Sequence, residues 1–72
     1  MKTPAIAFAI DGEYIELNKL LKASGLVDTG GQAKMVISDG LVRVDGQVET
    51  RLRCKIRPGQ TVEVEGQRLK VE

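Results

Sequence analysis

Seventy-two residues, 42% hydrophobic and 29% charged, suffice for one folded domain and are too apolar for a disordered tail. Eleven Lys and Arg against ten Asp and Glu leave a formal net charge of +1, which excludes a polybasic tail. With no His and one Cys, a Cys/His zinc site, His-based acid–base or nucleophile pairs and an internal disulfide are all excluded.

The opening MKTPAIAFAI is apolar but too short for a signal segment and runs straight into a turn, so a cytoplasmic protein is expected. Ile6, Phe8 and Ile10 alternate with Ala5, Ala7 and Ala9, a period of two that predicts a strand. Asp11-Gly12 reads as a tight turn and Glu13, Tyr14 and Ile15 as the return strand of a hairpin. Leu17, Leu20 and Leu21 then fall at helical spacing. Gly25 stops that helix, and Leu26 is placed to pack on Leu21 in a Schellman cap. Thr29-Gly30-Gly31-Gln32 has the form of a capping box. The Thr29 hydroxyl accepts from the amide three residues on, and Gln32 reaches back to the cap amide. Ala33, Val36 and Ile37 make the apolar stripe of the second helix, which again closes on Gly-Leu at Gly40 and Leu41.

Val42 and Val44 begin the strands. Asp45-Gly46 is a strong hairpin signal, and a three-residue loop, Asp45-Gly46-Gln47, would keep Val44 opposite Val48 and Val42 opposite Thr50. Leu52, Cys54 and Ile56 alternate with Arg51, Arg53, Lys55 and Arg57, which predicts one amphipathic strand ended by Pro58-Gly59. A Gly66-Gln67 turn would set Val64 against Leu69, Val62 against Val71, Glu65 against Arg68 and Glu63 against Lys70. The expected fold class is α+β. An N-terminal β-hairpin leads to two helices, then about four short, mostly antiparallel strands packed on the helices. One domain spans residues 1–72.

The near-neutral total hides a polarised chain. Residues 1–42 and 58–72 each carry a net −1, whereas residues 43–57 hold five basic and two acidic side chains, a net +3. On a strand, Arg51, Arg53, Lys55 and Arg57 would project to one side about 6.6 Å apart, near the phosphate spacing of a nucleic-acid strand. A solvated sheet face, paired by Glu49 and other carboxylates, or a Lys/Arg-protected edge strand would look the same in sequence. The start of the second helix is a further anion handle, since Gly30 and Gly31 leave its amides uncovered and Lys34 lies one turn in. It is no Walker loop, because the GxxxxGK[ST] spacing is absent. Cys54, on the apolar face, reads as a buried small hydrophobe with its flanking arginines turned away. Phe8 and Tyr14 are too few for a base-stacking sheet and read as core.

From Glu16 to Val64 the order of features resembles the S-four RNA-binding domain, or alpha-L motif, of the form R-L-D-x-x-L-x-x-x-G-x-x-x-S-R-x-x-A followed by L-I-x-x-G-x-V-x-V-N-G. Leu17, Leu21, Gly25, Ala33, Ile37, Gly40, Val42, Val44 and Gly46 fall on that pattern, and Thr29 and Asn18 stand at its Ser and Asp. Gly59, Val62 and Val64 resemble its closing G-D-x-I-x-V. The whole chain is similar to small stand-alone bacterial proteins of the YbcJ type. Glu16 stands at the first Arg of the pattern, Gly30 at the Arg after Ser, and Asp45 at the Asn. The resemblance implies a core motif at residues 16–64 and RNA as partner, ribosomal or otherwise structured, facing the second helix N-terminus and the adjoining hairpin. Thr29, Gly30, Gly31, Gln32, Lys34, Arg43, Arg51, Arg53, Lys55 and Arg57 are the candidate RNA-binding residues. No cofactor, metal, membrane or catalysis is expected, and the expected state is a monomer. A protein-binding adaptor using the same basic face is the alternative, and single-stranded DNA remains a possible ligand.

Overall fold

A computed structural model of the chain describes residues 6–72. Ala5, the first residue of the expected N-terminal strand, lies outside the described residues. The elements run β1 (Ile6–Phe8), β2 (Ile15–Glu16), α1 (Leu17–Ala23), α2 (Gly30–Ser38), β3 (Val42–Val44), β4 (Gln47–Val48), β5 (Lys55–Ile56), β6 (Thr61–Val64) and β7 (Gln67–Val71). Five strands form one sheet in the order β1-β7-β6-β3-β4, and β2 and β5 make a separate two-stranded ribbon. The α+β class holds. Among the described residues, no helix is long and apolar enough to cross a membrane.

The core follows from the sequence periods. Leu17, Leu20 and Leu21 of α1 and Ala33, Val36 and Ile37 of α2 are buried with Val42, Val62, Val64, Leu69 and Val71 of the sheet. Ile56 joins them from β5, and Leu52 and Cys54 pack half-buried against the cluster. Helical spacing on one side and period two on the other thus meet in one layer interface.

Helix α2 closes as a Schellman motif, with Gly40 N–H donating to the Ile37 carbonyl at 3.1 Å and Leu41 N–H to Val36 at 3.0 Å. Leu41 itself stays exposed. At α1 the motif is one residue wider. Gly25 donates to Lys22, but Val27, not Leu26, donates to the Leu21 carbonyl and takes the buried place.

The expected N-terminal hairpin does not form. β1 runs parallel to β7, with Ile6 opposite Leu69 and Phe8 opposite Val71, and β2 pairs antiparallel with β5. Of the expected return strand, Glu13 and Tyr14 are exposed and Ile15 pairs with Ile56 of β5 instead, while β7 offers β1 a longer ladder.

Both later hairpins turn on two residues, against the three-residue loop and the Gly66-Gln67 turn expected. Asp45 and Gly46 have φ of 52° and 85°, and Glu65 and Gly66 have 48° and 83°. Two successive positive φ values define the type I′ turn, whose twist matches that of the flanking strands. Val44 therefore faces Gln47 and Arg43 faces Val48, leaving Val48 exposed. In the last hairpin Val62 faces Leu69 and Glu63 faces Arg68. The shift from the expected register is two residues, so Val62, Val64, Leu69 and Val71 keep their buried face. Glu65 is the residue under strain, because a side chain in the left-handed region costs about 1–2 kcal/mol. Glu65→Gly is expected to raise the melting temperature by several degrees, about 4–8 °C per kcal/mol gained, in a circular-dichroism melt.

Candidate nucleic-acid interface

The first candidate element is the start of α2. Thr29 is extended (φ −134°, ψ 161°), and its hydroxyl accepts from the Gln32 amide at 3.1 Å. Gln32 Oε1 accepts from the Asp28 amide at 2.9 Å, one residue earlier than the cap amide expected. Gly30 and Gly31, the first helical residues, are exposed. Their amides have no intrahelical acceptor. Lys34 is exposed a turn later, and among the described residues no carboxylate lies within 4.0 Å of its amine.

The second element is the segment 51–57, and here the continuous strand is not found. Leu52 and Arg53 form a turn closed by Cys54 N–H donating to Arg51 at 3.3 Å, and only Lys55–Ile56 is strand. The cause is the open start of α1. Glu16 supplies no side-chain cap. Instead Leu17 and Asn18 donate to the carbonyls of Cys54 and Leu52 at 2.9 and 3.0 Å, which bends the segment toward the helix.

The basic row is therefore broken into groups with different neighbours. Arg51 is held side-on by Glu49, with Nε 3.0 Å from one carboxylate oxygen and Nη2 3.0 Å from the other. Its backbone amide donates to the same carboxylate at 3.0 Å. Those hydrogen bonds from Arg51 pull the Glu49 carboxyl down to about 2 from an ordinary value of 4.5, and Glu49 raises Arg51 in turn. Arg51 Nη2 also lies 3.8 Å from Cys54 Sγ, so this arginine does not turn away from the thiol as expected. Cys54 is half-buried, and burial first, then Glu49, pushes its thiol up, keeping it protonated at neutral pH.

Arg53 is 85% exposed, with Nε 4.0 Å from Glu16. The Lys55 amine sits 4.8 Å from the Tyr14 ring centroid, a cation–π contact that explains why Tyr14 stands 42% exposed rather than in the core. Arg57 is exposed beside the Pro58-Gly59 turn, its amide held by Gln60 Oε1 at 2.7 Å. Arg51, Arg53, Cys54 and Lys55 together line an open cleft of about 430 Å³. Arg43 is elsewhere. It projects from the sheet face opposite the buried Val42 and half-buried Val44, between Val48 and Glu63. Residues 29–34 line none of the clefts around segment 51–57.

Glu49, which the sequence offers only as one of several carboxylates facing a basic strand, clamps a single arginine, and Asp45 and Gln60 line a second cleft beside Arg51 that the sequence does not mark. Asp45 accepts from the Thr61 amide at 2.9 Å and from Gln60 Nε2 at 3.2 Å, tying the β3–β4 turn to β6. The signals were an acid two residues before an arginine and an Asp-Gly turn whose aspartate side chain can accept from a neighbouring strand.

The Glu49 clamp carries a pH signature. A carboxyl that ionises more easily folded than unfolded adds stability above its ordinary value, and that stability is lost as pH falls through the folded one. Glu49→Gln removes the contribution. The urea midpoints of the two proteins are expected to differ at about pH 6 and to converge as pH drops from about 4.5 to about 2.

Among the described residues, no group of three or more His, Cys, Asp or Glu could hold a metal ion. The S4 domain family matches residues 8–72. The putative RNA-binding protein YbcJ of Escherichia coli K12 is 52% identical over 58 residues, 81% of this chain and 83% of that protein. The probable ribosome maturation protein RlbA of Bacillus subtilis 168 is 36% identical over 58 residues, 81% of this chain and 82% of its own. The solution structure of E. coli YbcJ, described as having an alphaL motif involved in RNA binding, superposes with a TM-score of 0.73 at 44% identity. That superposition covers 96% of this chain and 89% of that one. The 30S ribosomal protein S4e of Thermoplasma acidophilum shares the fold, with a TM-score of 0.62 at 21% identity over 81% of this chain and 31% of that one. A chain matched over nearly its whole length, with the paired helices and the Asp45-Gly46 hairpin where the motif requires them, belongs to the S4-domain family.

Proposed function

We propose that the chain is a non-catalytic RNA-binding module that grips structured RNA through phosphate contacts and shape. The observation that carries this is that the exposed Arg53 and Lys55 share one open cleft with the clamped Arg51, with Arg57 exposed two residues on, inside a segment of net charge +3. Like charges held together in water repel one another unless anions come to them. The uncovered amides of Gly30 and Gly31, in a turn framed by the Thr29 and Gln32 side chains, and the amine of Lys34 supply a second phosphate contact. Arg43 adds a third from the other sheet face. A-form RNA is recognised largely in this way, by backbone and shape. Residues 16–64 are the core of the module, the working compartment is the cytoplasm, and no cofactor is needed.

The reading is tested by fluorescence anisotropy with a labelled RNA stem–loop at salt between about 50 and 200 mM. Binding whose logarithm falls linearly with the logarithm of salt, with a slope of about −0.9 per phosphate neutralised, supports it. Affinity that ignores salt overturns it. The same stem–loop in DNA separates recognition of the 2′-hydroxyl from recognition of charge alone.

A second reading is an adaptor that turns the same basic face, with Arg53 85% exposed and Lys55 and Arg57 beside it in sequence, to an acidic protein. Saturating the protein with RNA separates the two. An adaptor that uses the same basic face loses its protein partner.

A further inference from the structure

The side-on pair between Arg51 and Glu49 changes what this arginine can do. Its charge is already met by a carboxylate through two 3.0 Å bonds, so it is the weakest phosphate ligand of the four basic residues. Yet the side chain is 76% exposed. One edge of the guanidinium is occupied by Glu49, and Nη2 also reaches the Cys54 sulfur. What remains open to solvent is the flat of the group, held in a fixed plane. A guanidinium plane is a surface on which an unstacked base can lie.

The space around it has the right form. Arg51, Cys54 and Lys55 line both of two adjoining clefts. The one toward the β3–β4 hairpin, about 420 Å³, is mixed in character: Val44 and Val48 line it together with Asp45, Glu49 and the amides of Gln47 and Gln60. Its volume falls among small-ligand sites, roughly 300–1,000 Å³. The other, about 430 Å³, adds Arg53. A fixed cationic plane suits the face of a nucleobase, and the amides of Gln47 and Gln60 with the Asp45 carboxylate suit its hydrogen-bonding edge. The neighbouring cleft, with Arg53 and Lys55, suits the phosphate attached to it.

We propose that the cleft between the β3–β4 hairpin and the 51–55 turn receives one unpaired nucleobase of the bound RNA, stacked on the Arg51 guanidinium that Glu49 holds in place. This rests on the RNA-binding reading above and specifies its ligand as RNA with an extruded nucleotide rather than an unbroken duplex. The Arg51–Glu49 pair is a platform, and the phosphate grip falls to Arg53, Lys55 and Arg57.

The test uses two RNA stem–loops that differ only by a single bulged 2-aminopurine nucleotide in the stem. The full chain is expected to bind the bulged RNA roughly tenfold more tightly, the scale of one base-stacking contact. The 2-aminopurine fluorescence should change on binding as the base moves onto a new plane. Arg51→Lys keeps the charge and removes the plane. It is expected to bring the ratio of the two affinities to about one and to abolish the fluorescence change, with the circular-dichroism melt confirming the fold. Equal binding of both RNAs by the unmodified protein overturns the proposal, as does a preference and a fluorescence change that survive Arg51→Lys. Binding to neither RNA overturns the RNA-binding reading itself.

Discussion

Ile37→Ala is expected to leave much of the protein unfolded near about 37 °C. Ile37 is fully buried in α2, within a core of small aliphatic side chains drawn from two short helices and a sheet. Truncating a buried Ile costs about 2–5 kcal/mol, from lost transfer energy and from the cavity left behind. A single core in a chain of this length rarely supplies more than about 3–5 kcal/mol. The substitution therefore consumes most of the margin. Met35→Ala is the control. It lies in the same helix but is 59% exposed, so its effect is expected within about 0.5 kcal/mol. Thermal melts of the two variants followed by far-UV circular dichroism decide the matter. Similar melting temperatures would mean that α2 does not pack by the face described.

The second large effect is on binding. Arg53→Glu combined with Arg57→Glu is expected to weaken RNA binding roughly a hundredfold at low salt and to flatten its salt dependence by about two phosphates. These two residues are chosen over Arg51 because of what surrounds them. Arg51 already shares its charge with Glu49 at 3.0 Å, whereas Arg53 meets Glu16 only at 4.0 Å and is 85% exposed. Among the described residues, no carboxylate lies within 4.0 Å of the Arg57 guanidinium. Anisotropy titrations at several salt concentrations measure both affinity and slope. A double variant that binds as before would remove this segment from the interface.

The buried stripe of each helix was legible because spacing alone places Leu17, Leu20, Leu21, Ala33, Val36 and Ile37 on inward faces. The turn positions were legible from Asp45-Gly46 and Gly40-Leu41, and the family from their order. The registers were not. Pairing valine with valine across β3 and β4 is weaker guidance than backbone twist, and Asp45 is held in its turn by Gln60 and Thr61, 15 and 16 residues away in sequence. The partner of β1 was equally hidden, since a parallel pairing with residues 69–71 leaves no local trace. The site was only half legible. Alternation identified the basic side chains of residues 51–57. It could not reveal that the amides of Leu17 and Asn18 recruit the carbonyls of Cys54 and Leu52, and so fold the row into a turn and a short strand.

The order of strands in the sheet has a consequence for synthesis. β7 lies between β1 and β6, so a central strand is the last of the described elements to leave the ribosome. Until residues 67–71 emerge, β1 lacks the neighbour it pairs with and β6 has one open edge. Assembly waits for contacts of long sequence separation, which is slow relative to helix pairing. Helices α1 and α2 can meet early, but the sheet beneath them closes only once translation has delivered the strand that joins β1 to β6.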